Sequence, residues 1–131
     1  MSNVPKDLRF TKSHEWLRQE ADGSVTIGIT DHAQGALGDL VFVETPAAGR
    51  KVAANEACAV VESVKAASDV YSPLAGEVVG NNPDLGSAPE AINQDPYGKG
   101  WMFRVKPSDA KALDALLDAG AYTRFLADEG H

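Results

Sequence analysis

"VVESVKAASDVYSPLAGEV", residues 60–78, is a pair of strand-like runs that stop at one lysine and then resume. Upstream, "ACAVVESV" (57–64) is rich in valine and small residues. Downstream, "ASDVYS" (67–72) continues the pattern. Almost nothing separates the two runs, so the simplest geometry is a hairpin with Val64, Lys65 and Ala66 at its tip. Pro73 and Gly76 in "SPLAG" then supply a second turn, and "GEVVG" (76–80) a further strand.

Working outward, "SVTIGIT" (24–30) sets Val25, Ile27 and Ile29 against Thr26, Gly28 and Thr30, the period-2 signature of a strand with one buried face. "DLVFVET" (39–45) offers Val41 and Val43 against Leu40, Phe42 and Glu44, a strand apolar on both faces. "WMFRVKP" (101–107) alternates Trp101, Phe103 and Val105 against Met102, Arg104 and Lys106, and Pro107 ends it. Helical signals are fewer. Asp31 followed by Gln34 has capping-box spacing, with Gly38 as a stop. Ser87 and Glu90 repeat the device over a turn or two. Ser108 caps a C-terminal helix carrying Leu113, Leu116 and Leu117, with Gly120 as its stop. Tyr122, Phe125 and Leu126 then give a last short helix packed by its aromatic face. Residues 80–100, rich in Gly, Pro, Asn and Asp, form a long connection, and such connections are functional or tied down by their own side chains.

Many short strands with turn signals between them predict a mainly β fold: a flattened β-barrel or sandwich with short helices and a C-terminal helical segment. With 131 residues, one domain is expected, a β core over about 1–107 and helices over 108–128. A net charge of −7 and the lack of any Lys/Arg cluster disfavour nucleic acid. No apolar run approaches a membrane span, and the N-terminus has no signal-type apolar core. One cysteine, Cys58, allows no internal disulfide and fits a reducing compartment. A soluble, cytoplasmic monomer is expected.

Three roles fit Lys65. A solvated turn lysine is the bland one. A Schiff-base nucleophile needs burial or a cationic neighbour, whereas Glu62 and Asp69 are the nearest charges and favour the ammonium form. The third is a lysine that other enzymes modify and use as an arm; it needs exposure, rigid presentation and neighbours for the modifying enzyme to read. Other sites are weaker. His14, Glu15, Asp31 and His32 lack the spacing of a structural zinc site, so no metal is expected. Asp31 is better explained as a helix cap. Cys58 reads as a buried structural cysteine, and Trp16 and Trp101 as packing.

"ESVKAASD" (62–69) resembles the lipoyl-attachment site of the glycine cleavage system H proteins. "SHEW" (13–16), "GITDHAQGALGDLVFVE" (28–44), "YSPLAGEV" (71–78) and "NQDPYGKGWM" (93–102) resemble the same family, in the family's order. Biotin carriers place methionines beside the lysine, whereas Val64 and Ala66 stand here. Lipoyl domains of 2-oxo-acid dehydrogenases lack the "SHEW" block and the C-terminal helices. Ala54-Asn55 departs from a common Lys-Gly turn, though Asn tolerates positive φ, and Thr45 replaces a common leucine.

The resemblance implies a barrel-sandwich carrier, not an enzyme, with lipoate joined to Lys65 by an amide. It implies that Glu62, Ser63 and Asp69 are read during lipoylation. It also implies that Ser13, Glu15, His32 and Asp69 line a cleft for the loaded arm, where carboxylates suit a cationic amine. The implied partners are a pyridoxal-phosphate glycine decarboxylase, an aminomethyltransferase, dihydrolipoamide dehydrogenase, and a lipoyl or octanoyl transferase or lipoate ligase. A role in passing lipoyl groups to other proteins stays open.

Overall fold

The computed structural model describes residues 4–129. Among these residues, nine strands form two antiparallel sheets. In chain order they are β1 (Arg9–Phe10), β2 (Glu15–Gln19), β3 (Val25–Ile29), β4 (Leu40–Glu44), β5 (Lys51–Val52), β6 (Glu56–Ser63), β7 (Ala67–Ser72), β8 (Gly76–Asn81) and β9 (Phe103–Pro107). The larger sheet runs β1-β2-β3-β9-β8-β5 and the smaller β4-β6-β7. The expected sandwich is what forms. Strand pairing does not join the two sheets, so there is no closed barrel.

The alternation in β3 works as expected, with Val25, Ile27 and Ile29 entering the main core. Its other face is also covered, because Trp16 of β2 pairs with Gly28 and lays its indole over it. A Cβ at Gly28 would sit 2.7 Å from the indole nitrogen, so only glycine fits under the ring. In β4 the structure corrects the expected pattern. Leu40 and Val43 are buried, while Val41 and Phe42 both face solvent. Leu40 pairs with Ser63 and Phe42 with Glu62, so Val41 is an inserted residue at a bulge that shifts the alternation by one. β1, β2 and β5 carried no strand signal: two are only two residues long, and β2 buries Glu15, Trp16 and Leu17 in succession.

Helix α1 spans Asp31–Leu37. Its cap is Thr30, not Asp31. Thr30 Oγ1 accepts from the Ala33 amide at 3.2 Å, and Asp31, one residue inside, accepts from Gln34 Nε2 at 2.7 Å. Gly38 ends the helix at φ +84°, as expected. Helix α2 (Ala91–Gln94) begins at Glu90 without a side-chain cap, and Ser87 instead closes the 3₁₀ turn Pro83–Gly86. The expected helix after Ser108 is a 3₁₀ segment, Ala110–Ala115, capped by Asp109. Gly120 does not stop it; Gly120 lies in the first turn of α3 (Ala119–Glu129).

α3 packs its aromatic face as expected. Phe10, Trp16, Leu8 and Tyr122 form a second buried cluster, with Phe125 against it. Phe10 and Tyr122 stack at 4.7 Å between centroids with planes 7° apart. Phe10 and Leu117 exchange two backbone hydrogen bonds, fixing the chain just ahead of α3 to the edge of the larger sheet. The 80–100 connection is held by its own side chains. Asn93 donates to Gly38 O (2.9 Å) and Gln34 Oε1 (3.0 Å) and accepts from Leu40 N (2.9 Å). Tyr97 Oη accepts from the Asp31 amide (3.0 Å), and Pro96 O accepts from Trp16 Nε1 (2.9 Å).

Candidate functional site

The β6–β7 hairpin ends with Glu62 opposite Ala67. Beyond that pair the turn is closed by Ser63. Its amide donates to Ala66 O at 2.7 Å, and its hydroxyl oxygen accepts from the Ala66 amide (3.1 Å) and the Lys65 amide (3.3 Å). One small polar residue thus satisfies the tip's backbone in place of a longer loop. Val64 donates its amide to Asp39 O at 3.4 Å, which braces the tip against the chain leaving α1. Lys65 is exposed. Its side chain passes over Gly38, with Cε 3.4 Å and Nζ 3.9 Å from where a Cβ would stand. Among the described residues no carboxylate is ion-paired with Lys65. The amine therefore stands on a fixed backbone with no partner holding it.

Glu62 is half-buried and pairs with Phe42 on one side and Ala67 on the other. Asp69 is exposed opposite Val60 and lines a depression of about 450 Å³ with Glu44, Arg50 and Cys58. Burial pushes the Cys58 thiol up to about 11, so at neutral pH it stays protonated and inert.

Glu15 has a different setting. It is 2% exposed. Oε1 accepts from Thr11 Oγ1 and Ser13 Oγ, each at 2.6 Å, and Oε2 accepts from the Tyr71 amide at 3.3 Å. β7 is an edge strand of the smaller sheet, and Tyr71 lies in it. Glu15 thus fastens the larger sheet to an amide on β7, and two hydroxyls hold its carboxylate in position. His14 is at φ +70°. Its Nδ1 lies 2.8 Å from Tyr122 Oη, which is also 2.8 Å from Thr30 Oγ1. The His14 and His32 rings are 4.7 Å apart.

The structure thus groups Ser13 with Glu15, and sets His32 beside them through His14. Asp69 lies two residues from Tyr71 on β7, in the depression described above. No three His, Cys, Asp or Glu side chains among the described residues are placed to hold a metal. Sequence reading missed Thr30, Asn93 and Tyr122, whose hydroxyl and amide groups tie α1 and α3 to the site. Thr30 carried a signal, since a threonine three residues before Ala33 is cap spacing, but Asp31 masked it. Asn93 and Tyr122 carried none, because their partners lie 59 and 108 residues away.

Comparison with known proteins agrees with this geometry. A family model described as "Glycine cleavage H-protein" matches residues 8–129. The glycine cleavage system H protein of Halorhodospira halophila is 64% identical over 130 residues, covering 99% of this chain and 100% of that protein. That of an Azoarcus species is 59% identical, covering 98% of this chain and 100% of the relative. The crystal structure of a glycine cleavage system H protein from Mycobacterium marinum superposes with a TM-score of 0.84 at 40% identity, covering 98% of this chain and 100% of that one. A braced hairpin with a free lysine, on a two-sheet sandwich matched along nearly its full length, places this chain in the glycine cleavage H-protein family.

Proposed function

We propose that this chain is the lipoyl carrier of glycine cleavage, with Lys65 as the attachment residue. The observation that carries this reading is the exposed, unpaired Lys65 amine on a hydrogen-bonded two-stranded tip. Those features fit an acylated arm: the backbone is fixed and the amine is accessible. In acylation, the Lys65 ammonium gives up one proton, the free Nζ amine attacks the carbonyl of an activated lipoyl donor, an acyl adenylate or a thioester, and a second proton leaves nitrogen to the departing group or to water. A C–N bond forms and the activating group leaves. The lysine's positive charge is lost in the amide. Once attached, the dithiolane supplies the thiol–disulfide chemistry on which the aminomethyl group is carried.

The chain's own task is presentation. It serves as carrier and substrate for the glycine decarboxylase, the aminomethyltransferase and dihydrolipoamide dehydrogenase, after a lipoyl or octanoyl transferase or lipoate ligase has acted on it. Glu62, Ser63 and Asp69 are the neighbours that the acylating enzyme reads. Of the proposed cleft residues, Asp69 is the acid open to a cationic amine. Ser13 and Glu15, already hydrogen-bonded, build the wall, with His32 beside it.

Intact-mass measurement of chain produced with a lipoate ligase and lipoate tests the reading. A lipoyl-sized increase, absent from Lys65→Arg, is expected. An unmodified chain beside another lipoyl protein that is modified in the same preparation overturns it.

A further inference from the structure

We infer that Val41, Phe42 and Val64 form an apolar ridge on which the lysine-acylating enzyme seats, by an apolar pocket rimmed with basic side chains. This inference rests on the lipoyl-carrier reading.

Val64 is 77% exposed, Val41 56% and Phe42 48%. They lie at one end of the smaller sheet. The bulge at Val41 turns two successive apolar residues of β4 outward, where strict alternation would bury one. Phe42 sits opposite Glu62, Leu40 opposite Ser63, and the Val64 amide is bonded to Asp39 O, so all three residues lie within a few positions of the lysine tip. Core packing does not require this exposure. Val43 and Leu40 already supply the inward side of the strand. Clustered exposed apolar residues mark contact surfaces.

The charge around the ridge is mainly acidic, and Arg50, which shares a depression with Glu44, is already paired with Glu56. Residues 31–44 and 56–72, which carry α1, β4 and the lysine hairpin, hold six acids, and Lys65 is their only lysine or arginine. Asp39 and Glu44 bracket Val41 and Phe42 and are exposed. A partner matching this surface presents an apolar pocket inside a basic rim.

The position of the ridge selects among the partners. An enzyme that acylates Lys65 brings Nζ itself into its active centre, so its surface closes on the residues around the Lys65 backbone. An enzyme that works at the far end of a finished arm has its active centre an arm's length from the Lys65 backbone, and its chemistry does not require contact with these residues. Val41, Phe42 and Val64 lie within the first footprint.

The test uses purified lipoate ligase. With the Lys65→Arg chain, which cannot be acylated, binding to immobilised ligase is measured with and without Phe42→Ser or Val64→Ser. Each added substitution is expected to weaken binding about tenfold, the loss of one hot-spot side chain. With Lys65 present, the same substitutions raise KM about tenfold and leave kcat within about twofold. Glu44→Lys also raises KM, and added salt raises the KM of the unsubstituted chain. Val64 lies outside the strands, so Val64→Ser keeps the test decisive even where Phe42→Ser loosens β4; unchanged unfolding midpoints verify the fold. Unaltered binding and KM in both variants overturn the ridge while the carrier reading stands. Normal acylation with impaired transfer from the decarboxylase assigns the ridge to that enzyme and also overturns the inference. An unsubstituted chain that takes no lipoyl group at Lys65 removes both readings.

Discussion

The lysine hairpin and the aromatic seam under α3 are opposites in construction. The seam is made of remote residues: Phe10, Trp16 and Tyr122 come from both ends of the chain and are wholly buried. Its polar atoms are satisfied across long sequence separations, His14 by Tyr122 and Trp16 by Pro96. The hairpin tip is local. Ser63 closes it with contacts two and three residues away, and its large side chains face water. The seam serves packing and the tip serves presentation. An amine offered for acylation, as proposed for Lys65, gains nothing from burial, whereas the strands that hold it must not move.

That contrast is broken most directly at Tyr122. Tyr122→Ala removes a stacked ring and a hydroxyl bonded to both His14 and Thr30, and is expected to cost about 3–5 kcal/mol. Urea unfolding measures it, and a cost below about 1 kcal/mol would show that the seam is not the anchor. Glu15→Ala tests the joint between the two regions. It leaves the Tyr71 amide and two hydroxyls without their acceptor, and about 1–3 kcal/mol of destabilisation is expected, with faster hydrogen exchange at the Tyr71 amide. Protection of that amide equal to wild type would remove Glu15 as the fastener.

Cys58 sharpens the comparison within the hairpin itself, since it lies seven residues from Lys65 on the same strand pair. Its thiol is raised from 9.0 to about 11 by burial, so the folded state holds the proton more tightly than the unfolded state. Stability from this source is complete below pH 9 and declines as pH rises from 9 toward 11. Cys58→Ala should flatten that decline in alkaline denaturation curves. Iodoacetamide at pH 8 should label Cys58 only after unfolding. The smallest effect is expected at Lys65. Lys65→Arg should shift stability by less than about 0.5 kcal/mol, because the residue is exposed and has no ion pair among the described residues. A larger loss would make the lysine part of the scaffold.

Much of this division was legible before any coordinates. The tip at Val64, Lys65 and Ala66, the alternation in β3 and β9, the stop at Gly38 and the aromatic face of α3 all follow from neighbours in sequence. Asn55 does adopt positive φ, at 67°, as its turn position requires. The errors are equally local in origin. Asp31 and Ser108 are good capping types, yet Thr30 and Asp109 won by one residue. The sequence predicts a stop at Gly120 because glycine usually is one, but packing of Tyr122 and Phe125 carries α3 through it.

The sequence by itself determined where the lysine would stand, that two strands would present it, and that its surroundings would be acidic. These depend on turn chemistry and side-chain period, which act over a few residues. Only the tertiary structure decided that Glu15 would be buried as a fastener, that a bulge would turn Val41 and Phe42 outward, and that Asn93 would tie α1 to β4. Each depends on a partner far away in the chain or on strand register, and neither is encoded in any short window.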